Sequence, residues 1–192
     1  MGVLRPGPVI VDGGRIGGTI DGGFALTALG RKWIAARPES VPRDPSRFMD
    51  VIAGPGRRFG PGFMQRAEEA IGCYRAGRYL AACVMCGAAA EAILLALAIA
   101  KTGDEDAVLR DYRSAQGRKK MTDLIGSRLK GSLREPLESF VGLLAVWRDE
   151  AGHGRATAIT DAEADTCRVQ LLRFALFADA EWDALTAPTG SP

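Results

Sequence analysis

From Gly62 onward the apolar residues of this chain recur at three- and four-residue steps, the period of helices that each bury one face. Phe63, Ala67, Ala70, Ile71 and Tyr74 make the first stripe, which Ala76-Gly77 ends. Leu80–Ala100 follows after a minimal turn and is apolar all round, so it predicts the buried centre of an antiparallel helix hairpin. Asp104, Glu105 and Asp106 suit the positive end of a short helix running to Ser114, and Arg118–Lys130 predicts another. Ser132, with Glu135 three residues on, caps a helix whose inner stripe is Leu137, Val141, Leu144 and Arg148. Pro136 falls near its first turn, where proline is tolerated, and Gly152 and Gly154 end it. Thr160-Asp-Ala-Glu163 is a capping box for the last helix, expected to bury Val169, Leu172, Phe174, Leu176 and Phe177.

The first 36 residues follow a different pattern. Val9–Val11 and Gly18–Ile20 are short extended candidates separated by Asp12-Gly-Gly14, and Thr27 caps a helix expected over 28–36. This order resembles the wing and closing helix of winged-helix domains, although no recognition helix precedes it. Residues 37–61 hold five prolines with several Gly and Arg and are expected to form a linker. The expectation is an all-α fold: a helical bundle over 62–187, a small N-terminal β-hairpin/helix appendage over 1–36, and a disordered tail over 188–192. Helices near 78–101, 133–151 and 160–185 should form the core.

Composition narrows the class. Hydrophobic residues make up 47% and charged residues 25%, the mixture of a soluble globular domain. A formal charge of +2 is no global signature for nucleic acid, so any basic footprint must be local. Residues 1–12 lack the apolar core of a secretory signal, which predicts a cytoplasmic protein with unpaired thiols at Cys73, Cys83, Cys86 and Cys167. Cys83 and Cys86 have CxxC spacing, but no second pair or nearby His completes a zinc site, and no cofactor is implied. Tyr79–Ala100 is long enough to span a membrane, yet Glu91 at its middle favours a buried helix of a soluble protein.

Glu91 and Arg148 are the two charges that this pattern puts at core positions. An unpaired buried charge is prohibitive, so the two are expected to face each other across the bundle or across a dimer seam. His153, the only histidine, stands five residues after Arg148. On a continuous helix that is roughly 140° of rotation, so the two would not share a face. Gly152 and Gly154 let the helix stop or kink and swing the imidazole back; alternatively, two copies share a cleft across a two-fold axis. An imidazole moves protons near neutral pH, and a guanidinium fits phosphate oxygens.

The string Arg148-Asp-Glu-Ala-Gly-His153 at the end of a long helix, together with the 73–91 hairpin, resembles the HEPN superfamily over residues 62–186. The chain departs from the more familiar pattern in carrying Asp149 where Asn is usual. The resemblance implies a metal-independent endoribonuclease of toxin or defence type, acting as a homodimer on RNA. It also implies an antitoxin-like or nucleotidyltransferase partner. In that scheme Arg148 stabilises the scissile phosphate, His153 shuttles the proton, Asp149 orients imidazole or substrate, and Glu91 supports them.

RNA binding needs its own cations. Residues 110–134 hold eight Lys/Arg against two Asp, so Arg118, Lys119 and Lys120, with Arg155, are the candidate RNA contacts; the alternative is a solvated helix face. The segment shows no aromatic interleaving of the kind that stacks bases, which predicts loose sequence selectivity. Two other functions stay open: a non-catalytic HEPN-like module binding RNA, nucleotide or a protein partner, and a regulator using the N-terminal piece.

Overall fold

The computed structural model describes residues 10–12, 24–26, 45–152 and 158–188, with side chains described at all of these but 10–12, 24–26, 45, 46, 143 and 145–152. The chain divides into two units, Met1–Val41 and Pro42–Pro192. In the first, strands β1 (Ile10–Asp12) and β2 (Phe24–Leu26) pair antiparallel, Ile10 opposite Leu26. The strand expected at Gly18–Ile20 and the helix expected over 28–36 lie outside the described residues.

The second unit is helical, and its first helix is one that composition hid. α1 (Pro45–Phe59) occupies most of the stretch assigned above to a linker. Prolines dominate the eye there, but Pro45 opens the helix, where a missing N–H costs nothing. Phe48, Ile52 and Phe59 then fall on one face and are at most 5% exposed, which outweighs the interior Pro55. Each such side chain contributes about 1.5–3 kcal/mol on burial.

α2 (Pro61–Arg75) and α3 (Tyr79–Thr102) form the expected hairpin. Its turn requires the left-handed conformation of Gly77 (φ 68°), with Arg78 N–H donating to the Cys73 carbonyl at 2.9 Å. α4 (Glu105–Tyr112) is capped by Asp104, whose carboxylate accepts from Ala107 N–H. α5 (Gly117–Gly126) ends four residues before the expected Lys130, because the chain turns through Arg128 at φ 132°. α6 (Gly131–Gly152) begins one residue ahead of Ser132 and is helical through Gly152. α7 (Asp161–Ala180) starts at the predicted capping box, with Thr160 N–H donating to Glu163 at 2.7 Å. A break at Glu181 separates it from α8 (Trp182–Thr186), so the expected single helix to 185 is two.

α3 is the hub: it packs against α2, α6 and α7 and receives α4, α5 and α8 at its sides. Ile93, Leu97, Leu137, Leu144, Leu172 and Phe174 are at most 1% exposed. The stripe predicted on α7 needs correcting at Leu176, which is 39% exposed, while Val169 and Phe177 are half-buried. The α7 face is rotated so that Cys167, Arg168 and Leu171 point inward instead.

Candidate functional site

Glu91 is the only carboxylate on α3, and its side chain is 14% exposed. The expected pairing with Arg148 lies outside the described side chains; among the described residues Glu91 pairs with Arg118, whose Nε lies 3.7 Å from Glu91 Oε1. That contact follows from the path of α5, which packs across α3 and brings its first-turn arginine to the acid. α6 meets α3 here through apolar side chains: Val141 and Leu144 border a small cavity with Gly87, Leu94, Glu91 and Arg118. Position 148 follows Leu144 by one turn on the same helical face. Arg148 and Asp149 thus belong to the last turns of α6, where the backbone is described. His153 and Arg155 lie outside the described residues.

Three cations of the basic segment are paired locally. Lys119 pairs with Asp123 at 2.7 Å, Lys120 with Asp111 at 3.8 Å, and Arg134 with Glu138 at 2.7 Å. Such exposed pairs are worth at most about 1 kcal/mol each, so a polyanion can exchange for the carboxylates at little cost.

Glu91 and Arg118 also border larger spaces. A cavity of about 480 Å³ opens between α3, α4 and α5, walled by Glu91, Tyr112 and Arg118 with Ser114, Gln116 and Lys119 at its mouth. A groove of about 530 Å³ along α3 shares Glu91 and Tyr112 with that cavity and has an apolar floor of Ala92, Leu95, Ala96 and Ile99. Arg118 and Lys119 border a third space, of about 350 Å³, toward Val141 and Gly142 of α6. Tyr112 is the residue that sequence reasoning passed over. It stands inside the basic segment, and the fold sets it beside Arg118 and Lys119.

Three thiols meet in the core. Cys83, Cys86 and Cys167 are at most 1% exposed. The bond with Cys167, then burial, pushes the Cys83 thiol well up. For Cys167, the bond with Cys83 pulls downward, but the bond with Cys86 and burial prevail and raise it. Thiols held protonated away from solvent are poor nucleophiles, which fits their role as small apolar residues. Among the described residues no group of three His, Cys, Asp or Glu is arranged to hold a metal ion.

The most buried charge among the described residues, which the sequence pattern did not flag, is Arg168 at 2% exposure. Its guanidinium lies between the rings of Phe48 and Tyr74, 5.3 and 5.4 Å from their centroids, and bonds Asp165 through Nη2 and through Nε at 3.2 Å. It joins α1, α2 and α7. Burial, then a hydrogen bond to Asp161, pushes the neighbouring Tyr74 hydroxyl up to about 12.

Comparison with protein-family models, with curated proteins and with solved structures finds no match to this chain.

Proposed function

We propose that this protein is a HEPN-like endoribonuclease that acts as a dimer and needs no metal ion for the chemistry. The observation that carries the proposal is the position of Arg148, one turn beyond buried Leu144 on the α6 face that packs against α3, followed within five residues by the only histidine. The helical character of the bundle and the α2–α3 hairpin support it.

The chemistry assigns one task to each residue. His153 takes the proton of the ribose 2′-hydroxyl and returns a proton to the leaving 5′-oxygen. Arg148 holds the phosphate oxygens on which charge develops. Asp149 orients the imidazole or the substrate. Arg118, Lys119, Lys120 and Arg155 hold the RNA backbone, and Glu91 acts at one remove, by fixing Arg118.

The test is cleavage of a mixed RNA pool in EDTA. Cleavage by the wild-type chain, falling by roughly 10²–10⁴-fold in His153→Ala and Arg148→Ala with an unchanged helical spectrum, is the expected result. Equal cleavage by His153→Ala overturns the proposal, and a monomeric mass at micromolar concentration overturns its dimeric form. A second reading, a non-catalytic HEPN-like binding module, is favoured by one observation: the half-buried polar groups Glu91, Tyr112 and Arg118 border a cavity of ligand size. RNA or nucleotide retained but left uncut by the wild-type chain selects that reading.

A further inference from the structure

Among the described residues, the helices packed on α3 leave one strip of it uncovered. α2, α6 and α7 pack against it, and α4, α5 and α8 flank it. What stays open is the groove of about 530 Å³ whose floor is Ala92, Leu95, Ala96 and Ile99. All four are only half-buried, although α3 is the most apolar helix described. From Ala88 to Ala100, both of which line the groove, α3 runs for about 18 Å at its rise of about 1.5 Å per residue.

The two walls of the groove carry opposite charge. Arg58 and Arg66 stand on the side of α1 and α2, and Glu105 stands on the side of α4. Arg58 is already engaged, pairing with Asp179 at 2.7 Å and lying over the Trp182 ring. Arg66 spends one of its five N–H donors on the Gly62 carbonyl at 2.7 Å, a bond that sets the guanidinium on the wall. Glu105 is exposed in the first turn of α4. These features select the occupant. A small apolar molecule would keep its outer side in water, because the floor is open along its length, whereas a ligand site encloses most of its ligand. A second copy presenting the same face would set one hollow against another and leave both unfilled. The apolar face of an amphipathic helix, about three turns long, is convex and fills the groove. Oppositely charged walls then call for oppositely charged edges on that helix.

We propose that the groove receives an amphipathic helix of a protein partner, its apolar face on Leu95 and Ile99, its acidic edge against Arg66 and its basic edge against Glu105. α6 borders α3 elsewhere, at Gly87, Ala90 and Leu94, so the docked helix leaves the α6 face free. The proposal does not depend on cleavage at Arg148 and His153.

The test titrates the full-length chain into a labelled helical peptide of about fourteen residues, net neutral, with Leu along one face, Glu along one edge and Lys along the other. Saturable binding by anisotropy is expected, with Kd on the order of 10 µM. Ala96→Trp fills the floor and is expected to weaken binding at least about tenfold. Arg66→Glu and Glu105→Lys are each expected to weaken it several-fold. The double substitution exchanges the walls and is expected to restore binding, because the helix then enters in the opposite direction. Glu105 is exposed, so Glu105→Lys spares the fold even where Ala96→Trp does not. Absence of binding at about 1 mM overturns the proposal. Equal binding of a peptide with its Leu residues scattered around the helix overturns it, as does indifference to both charge reversals. A dimer that the peptide dissociates in sedimentation assigns the groove to a second copy, and saturable uptake of laurate without peptide binding assigns it to an aliphatic chain; either result overturns the proposal. The RNA-pool assay on the wild-type chain separately decides the fate of the ribonuclease reading.

Discussion

Arg168 and Arg118 each reach a carboxylate, yet the two pairs obey different physics. Arg168 is 2% exposed, sandwiched between Phe48 and Tyr74, and its acid, Asp165, comes from the preceding turn of the same helix. Arg118 is 32% exposed, and its acid comes from a different helix at 3.7 Å, a separation longer than a hydrogen bond. In the first pair the guanidinium is sealed by rings, so no solute can replace its carboxylate, although Asp165 itself is 39% exposed. The second borders a cavity of about 480 Å³, open to solutes that reach both groups. A buried ion pair is mostly a constraint on packing; an open one is a place where binding energy can be exchanged.

The largest expected effect is therefore on the sealed side. Asp165→Ala leaves a caged guanidinium without its carboxylate and is expected to cost about 2–3 kcal/mol, the lower part of the range for broken buried pairs because Asp165 is itself 39% exposed. Glu91→Gln keeps shape and hydrogen-bonding capacity and is expected to cost less than about 1 kcal/mol. Urea denaturation of both variants beside the wild type reads the difference. Equal losses would erase the distinction between a structural and an exchangeable pair.

How much of this was legible beforehand follows the same divide. The helix order, the α2–α3 turn, the α7 capping box and the burial of Leu137 and Leu144 all follow from local patterns that the fold keeps. The contact of Glu91 with Arg118 was not legible, because Arg118 reaches it through the packing of α5 on α3, which no spacing within one helix encodes. Arg168 escaped for a related reason: charge alone marks a position as exposed, and the two rings that enclose it come from helices more than 90 residues away. α1 was lost to its prolines, whose conformational meaning depends on position, while the Phe48, Ile52, Phe59 stripe carried the true signal. Of the candidate site, Glu91, Arg118, Lys119 and Lys120 have described surroundings, and only the first two meet directly.

On the open side, backbone closure sets the next effect. Gly117→Ala forces the α4–α5 loop away from the Tyr112 carbonyl and is expected to cost about 2 kcal/mol. Gly142→Ala is the control. It lies in α6 with nothing near its missing Cβ, so helix propensity should raise stability by about 0.5–1 kcal/mol. Thermal melts that gave both substitutions the same sign would show that the cavity loop is not closed as described.

The smallest effect sharpens the sealed side. Tyr74 packs on Arg168, and burial together with its bond to Asp161 holds its hydroxyl near 12 instead of the ordinary 10. A tyrosine whose folded pKa is raised binds its proton more tightly in the folded state, so its contribution is complete below pH 10 and is lost as pH rises from 10 toward 12. A two-unit shift corresponds to nearly 3 kcal/mol at most, and solvent screening of this half-buried ring reduces that to about 1 kcal/mol. Tyr74→Phe keeps the ring on Arg168 and has no proton to lose. Its stability, followed by urea denaturation at pH 9, 10 and 11, should fall less steeply than that of the wild type across this window. Parallel slopes would mean that the hydroxyl is not enclosed, and the sealed cluster would then reduce to the two rings and the Arg168–Asp165 pair.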